Sequence, residues 1–191
     1  MMPLGWRLTA GARCLTYIIV DLEATCCDRG QVPRDEMEII EIGAVALFEN
    51  GPNVRAEFQS FVKPMRHPAL TDFCKRLTSI RQGDVDSAEA FPAVLQRFAA
   101  WVGSFDKPTF CSWGDYDSHQ LRQDCALHGA PFPFGDEHIN IKKRFAENLN
   151  LRKPCGLGDA LRRVGLEFVG NPHRGIDDAR NMANLSGYLF F

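Results

Sequence analysis

The sequence predicts an α/β fold in which an antiparallel hairpin lies beside parallel strands and helices flank the mixed sheet. Three observations carry this prediction. Apolar, β-branched segments come first along the chain, and strand-like and helix-like segments alternate after them. The length of 191 residues, 45% of them hydrophobic, is also enough to bury one sizeable core. We therefore expect a single domain over residues 1–191, with its core at about residues 16–190.

The first three strands are predicted at Tyr17–Glu23, Met37–Phe48 and Arg55–Val62, where β-branched and apolar residues are dense. The last two are joined through Glu49-Asn50-Gly51-Pro52. Because Asn-Gly is a strong hairpin signal, we expect these two strands to be antiparallel.

Helices and one further strand are predicted in the rest of the chain. Apolar residues fall on one helical face at Phe91, Val94, Leu95, Phe98, Val102 and Phe105. The predicted elements that follow are a strand at Pro108–Cys111 and helices at Ser118–His128, Ile139–Asn148 and Leu157–Val164. A C-terminal helix is expected from the helical spacing of Met182, Leu185 and Leu189.

Two carboxylates end the first predicted strand. Asp21 and Glu23 are separated by one residue, so both side chains would point to one face of the strand while Leu22 packs on the other. Carboxylates this close repel each other unless a cation lies between them, and Mg²⁺ and Mn²⁺ prefer such oxygen ligands. The pattern is short and common, so a strand end with acids facing solvent is the alternative.

A loop before the C-terminal helix holds a histidine and two acids. Pro172 and Gly175 punctuate the loop, and His173 lies five residues before Asp178. Asp177 or Asp178 could be a helix cap or a first-turn acid favoured by the helix dipole. Capping does not explain the histidine, whose imidazole could take a proton from water while Asp178 holds a metal.

Another candidate acid lies where the strand at Pro108–Cys111 leads into a helix. The junction is Trp113-Gly114-Asp115-Tyr116-Asp117, and it contains two aspartates. An acid at such a junction is often a helix cap. The residues by themselves leave the choice between Asp115 and Asp117 open.

Three motifs occur in a fixed order: D-L-E-A-T from Asp21, an aromatic-Asp pair opening a helix, and H-R-G-I-D-D-A from His173. Together they resemble the DnaQ-like superfamily of 3′→5′ exonucleases, in its DEDDh branch. More narrowly, the chain is similar to the enhanced-RNAi and histone-mRNA 3′-exonuclease group. That similarity is carried by Asp21–Cys26, Glu38–Gly43, Asp72–Val85, Phe91–Leu95, Ser112–Asp117 and His173–Ala179. The resemblance implies a ribonuclease-H-like fold and a single exonuclease domain.

The resemblance also implies the roles of the site residues. Four acids would bind two divalent metal ions, Mg²⁺ or Mn²⁺: Asp21, Glu23, Asp117 and Asp178. His173 would be the general base of a reaction that releases nucleoside 5′-monophosphates. Asp117 is preferred to Asp115 because the family's acid directly follows an aromatic residue, here Tyr116.

Substrate contacts are implied at three positions. In the family the turn at Ala24 and Thr25 lies against the 3′ end, and Ile80 would supply an apolar wedge against the terminal nucleotide. The chain departs from the family's L-T-G-I-T pattern, because it has Ser79 and Arg81 in place of the glycine and the last threonine. This departure affects the expected substrate preference.

Three functions are compatible with these residues. The leading hypothesis is a metal-dependent 3′→5′ exonuclease that acts on RNA, either single-stranded or with a short 3′ overhang. A DNA exonuclease on the same fold is the second, because the contacts that would read a 2′-OH cannot be located in the sequence. The third is a catalytically silent nucleic-acid-binding regulator, although such a protein would not need both the metal ligands and the base.

Charge does not exclude a nucleic-acid partner. The net charge is −2, which argues against a uniformly basic surface but not against a local basic patch. Basic residues concentrate in the second half, at Arg122, Lys142, Lys143, Arg144, Arg152, Lys153, Arg162, Arg163, Arg174 and Arg180. Most are expected on solvated helix faces. Arg174, beside His173, is the one expected near a phosphate.

The cysteines and the hydropathy indicate the compartment. Seven cysteines occur without a C-x-x-C motif, at Cys14, Cys26, Cys27, Cys74, Cys111, Cys125 and Cys155, so neither a disulfide framework nor structural zinc is expected. Residues 1–13 lack the apolar core of a signal peptide, and no run of about 18 apolar residues occurs. We expect a cytoplasmic protein with no membrane partner. The sequence identifies no protein partner.

Overall fold

The computed structural model describes residues 15–48, 51 and 53–190. Three of the expectations above fall outside these residues: the absence of a leader in residues 1–13, the thiol of Cys14, and most of the turn between the second and third strands.

A five-stranded mixed sheet forms the centre of the fold. The strands are β1 (Thr16–Ala24), β2 (Ile39–Phe48), β3 (Val54–Phe61), β4 (Pro108–Ser112) and β5 (His138–Asn140). Their order across the sheet is β3-β2-β1-β4-β5. β1 pairs antiparallel with β2, and β2 pairs antiparallel with β3, whereas β4 runs parallel to β1 and β5 parallel to β4. The predicted α/β class, with an antiparallel hairpin beside parallel strands, is confirmed.

Seven helices accompany this sheet in the described part of the chain. They are α1 (Asp72–Thr78), α2 (Gln82–Asp86), α3 (Phe91–Val102), α4 (Tyr116–Leu127), α5 (Ile141–Asn148), α6 (Leu157–Arg163) and α7 (Gly175–Asn184). Short 3₁₀ turns occupy Arg34–Glu36 and Ser186–Tyr188.

Several elements differ from the sequence-based expectation. The helix expected from Ile139 begins at Ile141, because Asn140 caps it by accepting a hydrogen bond from the Lys143 N–H at 3.0 Å. The residues before it form β5, a three-residue strand that exists only through its pairing with β4. The helices α1 and α2 were not predicted, and α7 ends before Leu185, whose side chain is nevertheless buried.

Alternation along β1 distributes its side chains between two cores. Ile18, Val20 and Leu22 pack on one face with α3 and α4, while Tyr17 and Ile19 pack on the other with α5, α6 and α7. Successive side chains of a strand point to opposite faces, so the acids that follow Ile19 at every second position lie on the face covered by α7. This placement brings the carboxyl end of β1 and the first turn of α7 together.

The described cysteines are free thiols, at Cys26, Cys27, Cys74, Cys111, Cys125 and Cys155. Within residues 15–48, 51 and 53–190, no helix combines the length and the apolar character that a membrane crossing requires.

Candidate active site

The carboxyl end of β1 positions the first two acids. Asp21 pairs with Gly43 of β2, and Glu23 pairs with Glu41. Asp21 and Glu23 are therefore alternate residues of one regular strand and lie on the same face of β1. Leu22 packs in the opposite core, as the alternation predicts. The same-face prediction for Asp21 and Glu23 therefore agrees with the register of the sheet.

A close approach of two glycines positions the third acid. A Cβ atom on Gly43 would lie only 2.0 Å from the backbone carbonyl carbon of Gly175, and one on Gly175 would lie 2.9 Å from the Asp21 backbone oxygen. No side chain fits in that space, so α7 begins directly against β1 and β2. Asp178, in the first turn of α7, is thereby placed beside Asp21.

Three carboxylates converge at this point. Each of Asp21, Glu23 and Asp178 offers an oxygen, and these oxygens lie within 4.8 Å of one another. They open into a cleft of about 300 Å³. Its lining residues are Asp21, Leu22, Glu23, Trp113, Tyr116, Asp117, Leu157, His173 and Asp178. An all-oxygen donor set of this kind fits a hard divalent cation such as Mg²⁺ or Mn²⁺.

The fourth acid reaches the same cleft from α4. Asp117 is buried, and one of its carboxylate oxygens accepts a hydrogen bond from the Leu22 N–H at 3.0 Å, which ties the helix to β1. Asp115 does not line the cleft. Its carboxylate instead accepts a hydrogen bond from the Asn140 amide at 2.8 Å and lies 3.5 Å from the Lys143 ammonium. The geometry favours Asp117 over Asp115 as the site residue.

The electrostatics of the four acids reflect burial without a positive partner. Burial raises the pKa of Glu23 to about 9 and that of Asp117 to about 7. It also raises the pKa of Asp178 to about 6, although hydrogen bonds from the His173 and Arg174 backbone oppose the change. The pKa of Asp21 is raised well above its usual range, first by burial and then by the charge of Asp117.

No lysine or arginine within the described residues forms an ion pair with any of these four acids. A bound cation would reverse the pKa shifts, because it favours the ionised form of each ligand. The four carboxylates, which lack a cationic side chain as partner, therefore favour binding of a divalent metal ion.

His173 lies at the mouth of the cleft. Its side chain is exposed, it lines the cleft beside Asp178, and its backbone is left-handed at a φ of 60°. The loop before it is anchored to α7, because the Asp177 carboxylate accepts a hydrogen bond from the Asn171 N–H at 3.0 Å. Asp177 thus stabilises the loop and does not line the cleft, which leaves Asp178 as the acid of this motif that faces the site.

The expectation that Arg174 lies near a phosphate is not supported by its contacts. Its guanidinium donates two hydrogen bonds to the fully buried carboxylate of Glu41, at 3.0 and 3.1 Å, and it lies over the Phe61 ring. Glu41 also accepts a hydrogen bond from the Gly175 N–H at 3.1 Å. This pair fixes the residue next to His173 to the sheet. The role of Glu41 was missed, and its one signal was a charged residue inside an otherwise apolar strand.

The three residues expected to contact the substrate, Ala24, Thr25 and Ile80, are all buried. Thr25 is buried, its backbone N–H donates to the Glu38 carbonyl at 2.8 Å, and its hydroxyl accepts from the Glu38 N–H at 3.0 Å. Ala24 is also buried, at the end of β1 next to the cleft. Ile80 has no exposed surface and packs with Ile40 in a third apolar cluster. The structure does not bring Ile80 to the cleft, because its apolar side chain is satisfied inside the protein.

Two aromatic residues, Trp113 and Tyr116, line the cleft together with the acids. Trp113 packs against Phe145 with ring centroids 6.0 Å apart, and its indole N–H donates to the Cys155 carbonyl at 3.1 Å. The Arg34 guanidinium lies 4.6 Å from the centre of the Tyr116 ring. Both residues are nevertheless partly exposed, and both line the cleft.

A mixed sheet of this topology, with acids from β1, α4 and α7 and a loop histidine at one cleft, defines a ribonuclease-H-like nuclease of the DEDDh class. The chain belongs to the exonuclease family, whose model, described as "Exonuclease" (RNase_T), matches residues 18–186. Among its relatives is human 3′-5′ exoribonuclease 1, which is 34% identical over 176 residues, covering 88% of this chain and 50% of the relative. Human ERI1 exoribonuclease 2 is 32% identical over 191 residues, covering 88% of this chain and 27% of the relative.

Solved structures agree with this placement. The nuclease domain of 3′hExo, described as a DEDDh family member bound to rAMP, superposes with a TM-score of 0.82 at 32% identity. The match covers 93% of this chain and 92% of that domain. The chain is thus similar to the ERI1 and 3′hExo group over the nuclease domain. It spans between about a quarter and about half of the length of the two human relatives named above.

Proposed function

We propose that this chain is a metal-dependent 3′→5′ exonuclease that removes nucleoside 5′-monophosphates from the 3′ end of RNA. The observation that carries the proposal is the convergence of three carboxylates within 4.8 Å at a cleft that also holds Asp117 and His173. Both human relatives are named exoribonucleases, which supports an RNA substrate, and the name 3′-5′ exoribonuclease 1 supports the direction of cleavage.

Two divalent cations, Mg²⁺ or Mn²⁺, would be held by these acids. Glu23 and Asp178 would serve one cation and Asp117 the other. Asp21 would act with Glu23 and Asp178, because the oxygens of these three residues lie within 4.8 Å of one another. When bound, the cations supply Lewis-acid polarisation of the scissile phosphate and of the attacking water.

His173 would take the proton of the attacking water. Its exposed imidazole at the mouth of the cleft can reach a water molecule there and can release the proton to solvent afterwards. The anchored pair of Glu41 and Arg174 holds the adjacent backbone in place. Trp113 and Tyr116 would support the terminal base by stacking, which is tolerant of sequence.

A second observation, besides the names of the relatives, favours RNA over DNA as the proposed substrate. A similar solved structure, with a TM-score of 0.82 at 31% identity, concerns recognition of a histone mRNA stem-loop by a 3′-exonuclease. Similarity to exonuclease I structures, at 13–15% identity, concerns the fold alone. DNA cleavage and silent binding therefore remain alternatives that the experiment has to separate.

The test is a time course on 5′-labelled RNA, matched DNA and a stem-loop with a 3′ overhang, in Mg²⁺, Mn²⁺ or EDTA. We expect a metal-dependent ladder that shortens from the 3′ end, is faster on RNA and disappears in Asp21→Ala. Asp106→Ala is the matched control, because Asp106 is exposed and precedes β4 at the end of the strand away from the cleft. A faster DNA ladder would establish the DNA alternative, and binding without any cleavage would establish the silent regulator.

A further inference from the structure

A group of basic side chains lies on α5, on α6 and on the loop between these helices. We call it the basic surface, and its members are Lys142, Lys143, Arg152, Lys153 and Arg163. These residues line three open grooves of about 580, 550 and 500 Å³. The grooves share lining residues, among them Asn150, Leu151 and Pro154, and therefore form one continuous surface.

The basic surface is short of compensating charge. Lys143 lies 3.5 Å from the Asp115 carboxylate, but none of the other four residues forms an ion pair with any carboxylate that the structure describes. Arg152, Lys153 and Arg163 are exposed. Two acids, Asp115 and Glu147, line the same grooves, so five basic side chains there face two acidic ones. This excess of positive charge attracts a polyanion.

The basic surface adjoins the cleft. One of its grooves reaches Gly114 and Asp115, which lie between the cleft residues Trp113 and Tyr116. The Trp113 indole also holds the α5–α6 loop through the carbonyl of Cys155. The wall of the cleft and the basic surface are therefore parts of one packed unit.

We propose that the basic surface binds the phosphodiester backbone of the strand upstream of the 3′ nucleotide. The inference rests on the proposed function, because it requires the 3′ end to lie in the cleft. A strand that enters the cleft by its 3′ end has to leave over one of its walls. The α5–α6 side offers four cations that form no ion pair with a described carboxylate: Lys142, Arg152, Lys153 and Arg163. Backbone binding of this kind is independent of sequence, so it suits an enzyme that removes every nucleotide in turn.

The test compares substrates of different length. A dinucleotide has a single phosphodiester, which occupies the reacting position and leaves no upstream phosphate, whereas a 12-nucleotide RNA has many. The variant is Arg152→Glu/Lys153→Glu. We expect kcat/KM on the dinucleotide to stay within about two-fold of wild type, and kcat/KM on the 12-mer to fall about ten-fold or more. Binding of the 12-mer in Ca²⁺ should also depend less steeply on salt. The slope of the logarithm of the binding constant against the logarithm of the salt concentration should decrease in magnitude by roughly 0.7 for each lost phosphate contact.

The matched control is Arg55→Glu/Lys107→Glu, which replaces two positive charges by two negative ones in the same way. Arg55 and Lys107 are exposed and lie near the strand ends opposite to the cleft. We expect this control to bind and cleave both substrates as wild type does. Equal losses in variant and control would mean that only net charge matters, and this result would overturn the inference.

Two further outcomes would also overturn it. One is a variant that keeps the wild-type preference for the 12-mer, which would indicate that the basic surface serves another partner, such as an acidic protein segment. The other is an equal loss on dinucleotide and 12-mer, which would indicate damage to the cleft. Failure of the proposed function looks different: wild type would cleave neither substrate, although the length-dependent binding of the 12-mer would persist.

Discussion

Two pairs of acids on neighbouring strands differ in whether the protein supplies them with partners. Glu38 and Glu41, immediately before and within β2, are both buried and both receive several donors from the protein. Asp21 and Glu23 on β1 lie next to them, since Glu23 pairs with Glu41, but no cationic side chain that the structure describes reaches them. All four residues are carboxylates, and Glu23, Glu38 and Glu41 are all buried, whereas Asp21 is partly exposed in the cleft. The main difference therefore lies in the partners.

The donors of the β2 acids come from distant parts of the chain. The Glu38 carboxylate accepts hydrogen bonds from three consecutive backbone N–H groups, of Met65, Arg66 and His67, at 2.9, 2.6 and 3.2 Å. Glu41 accepts from Arg174 and from the Gly175 N–H. These acids stabilise the structure, because a buried charge with good partners holds the segments that supply them.

The β1 acids have no such role. Their pKa values are raised first by burial and then by neighbouring acids, chiefly Asp117 and Asp178 for Asp21 and Asp178 for Glu23. They therefore destabilise the metal-free protein when they ionise. The fold therefore supplies partners to its structural carboxylates and leaves the cleft carboxylates without a cationic partner, so these can bind an external cation. Substitutions in the two pairs should therefore change stability in opposite directions.

The largest effect is expected for Asp21→Asn. Loss of the Asp21 carboxylate as a metal ligand should lower kcat/KM by roughly 10³-fold or more, since the bound cation contributes several kcal/mol to stabilisation of the transition state. The melting temperature in EDTA at pH 8 should nevertheless rise, because one buried negative charge is removed. Enzyme kinetics and thermal unfolding measured on one preparation check both signs, and a lower melting temperature in EDTA would contradict the comparison.

His173→Ala should reduce kcat by roughly 10²- to 10⁴-fold, the usual contribution of a general base. The side chain is exposed and is not one of the three clustered carboxylates, so metal affinity and substrate KM should change little. Isothermal titration with Mn²⁺, together with the kinetics, separates the two effects. An equal loss of metal affinity would assign His173 to metal binding.

Glu41→Ala should destabilise the protein by about 2–3 kcal/mol, because it leaves the partly buried Arg174 without its partner. Activity should also fall, since the backbone beside His173 loses its anchor. The double variant Glu41→Ala/Arg174→Ala should recover part of the stability, as both charges are then absent. Chemical unfolding of the three proteins measures this coupling, and simple additivity would show that the pair has no specific role.

The pH dependence of stability should depend on metal. The folded-state pKa of Glu23 is about 9, above the unfolded value of about 4.3. The folded protein therefore binds more protons than the unfolded chain between these values, so metal-free stability falls as pH rises from about 5 to 9. Excess Mg²⁺ should remove this decline, and Glu23→Gln should reduce it in EDTA. Melting temperatures at pH 6 and pH 8.5 test the prediction.

The smallest effect is expected for Asp115→Asn. Its carboxylate is about half exposed and already has donors from Asn140 and Lys143, so loss of the charge should cost less than about 1 kcal/mol of stability. Activity should remain near that of wild type, whereas Asp117→Asn should lose most of it. If the two variants showed reversed activities, the acid of this motif would be Asp115.

Local patterns were sufficient to predict much of this molecule. The same-face geometry of Asp21 and Glu23 follows from the two-residue period of a strand, and the first-turn position of Asp178 follows from Pro172, Gly175 and the apolar spacing after it. The mixed sheet followed from the order of strand-like and helix-like segments. The first two features depend on residues close together in sequence, so a local pattern is enough to reveal them. The mixed sheet was an expectation from the order of the segments, and its strand pairings join distant residues.

Contacts between distant segments were decided only by the tertiary structure. The partner of Arg174 lies 133 residues away, which is why a residue expected near phosphate instead holds a buried glutamate. Ile80 is enclosed by residues of β2 and α2, and β5 exists only because β4 offers a parallel partner. The sequence was enough to name the candidate acids and the histidine of the site. The packing decided which charges are satisfied within the protein, because desolvation and pairing depend on neighbours that folding brings together.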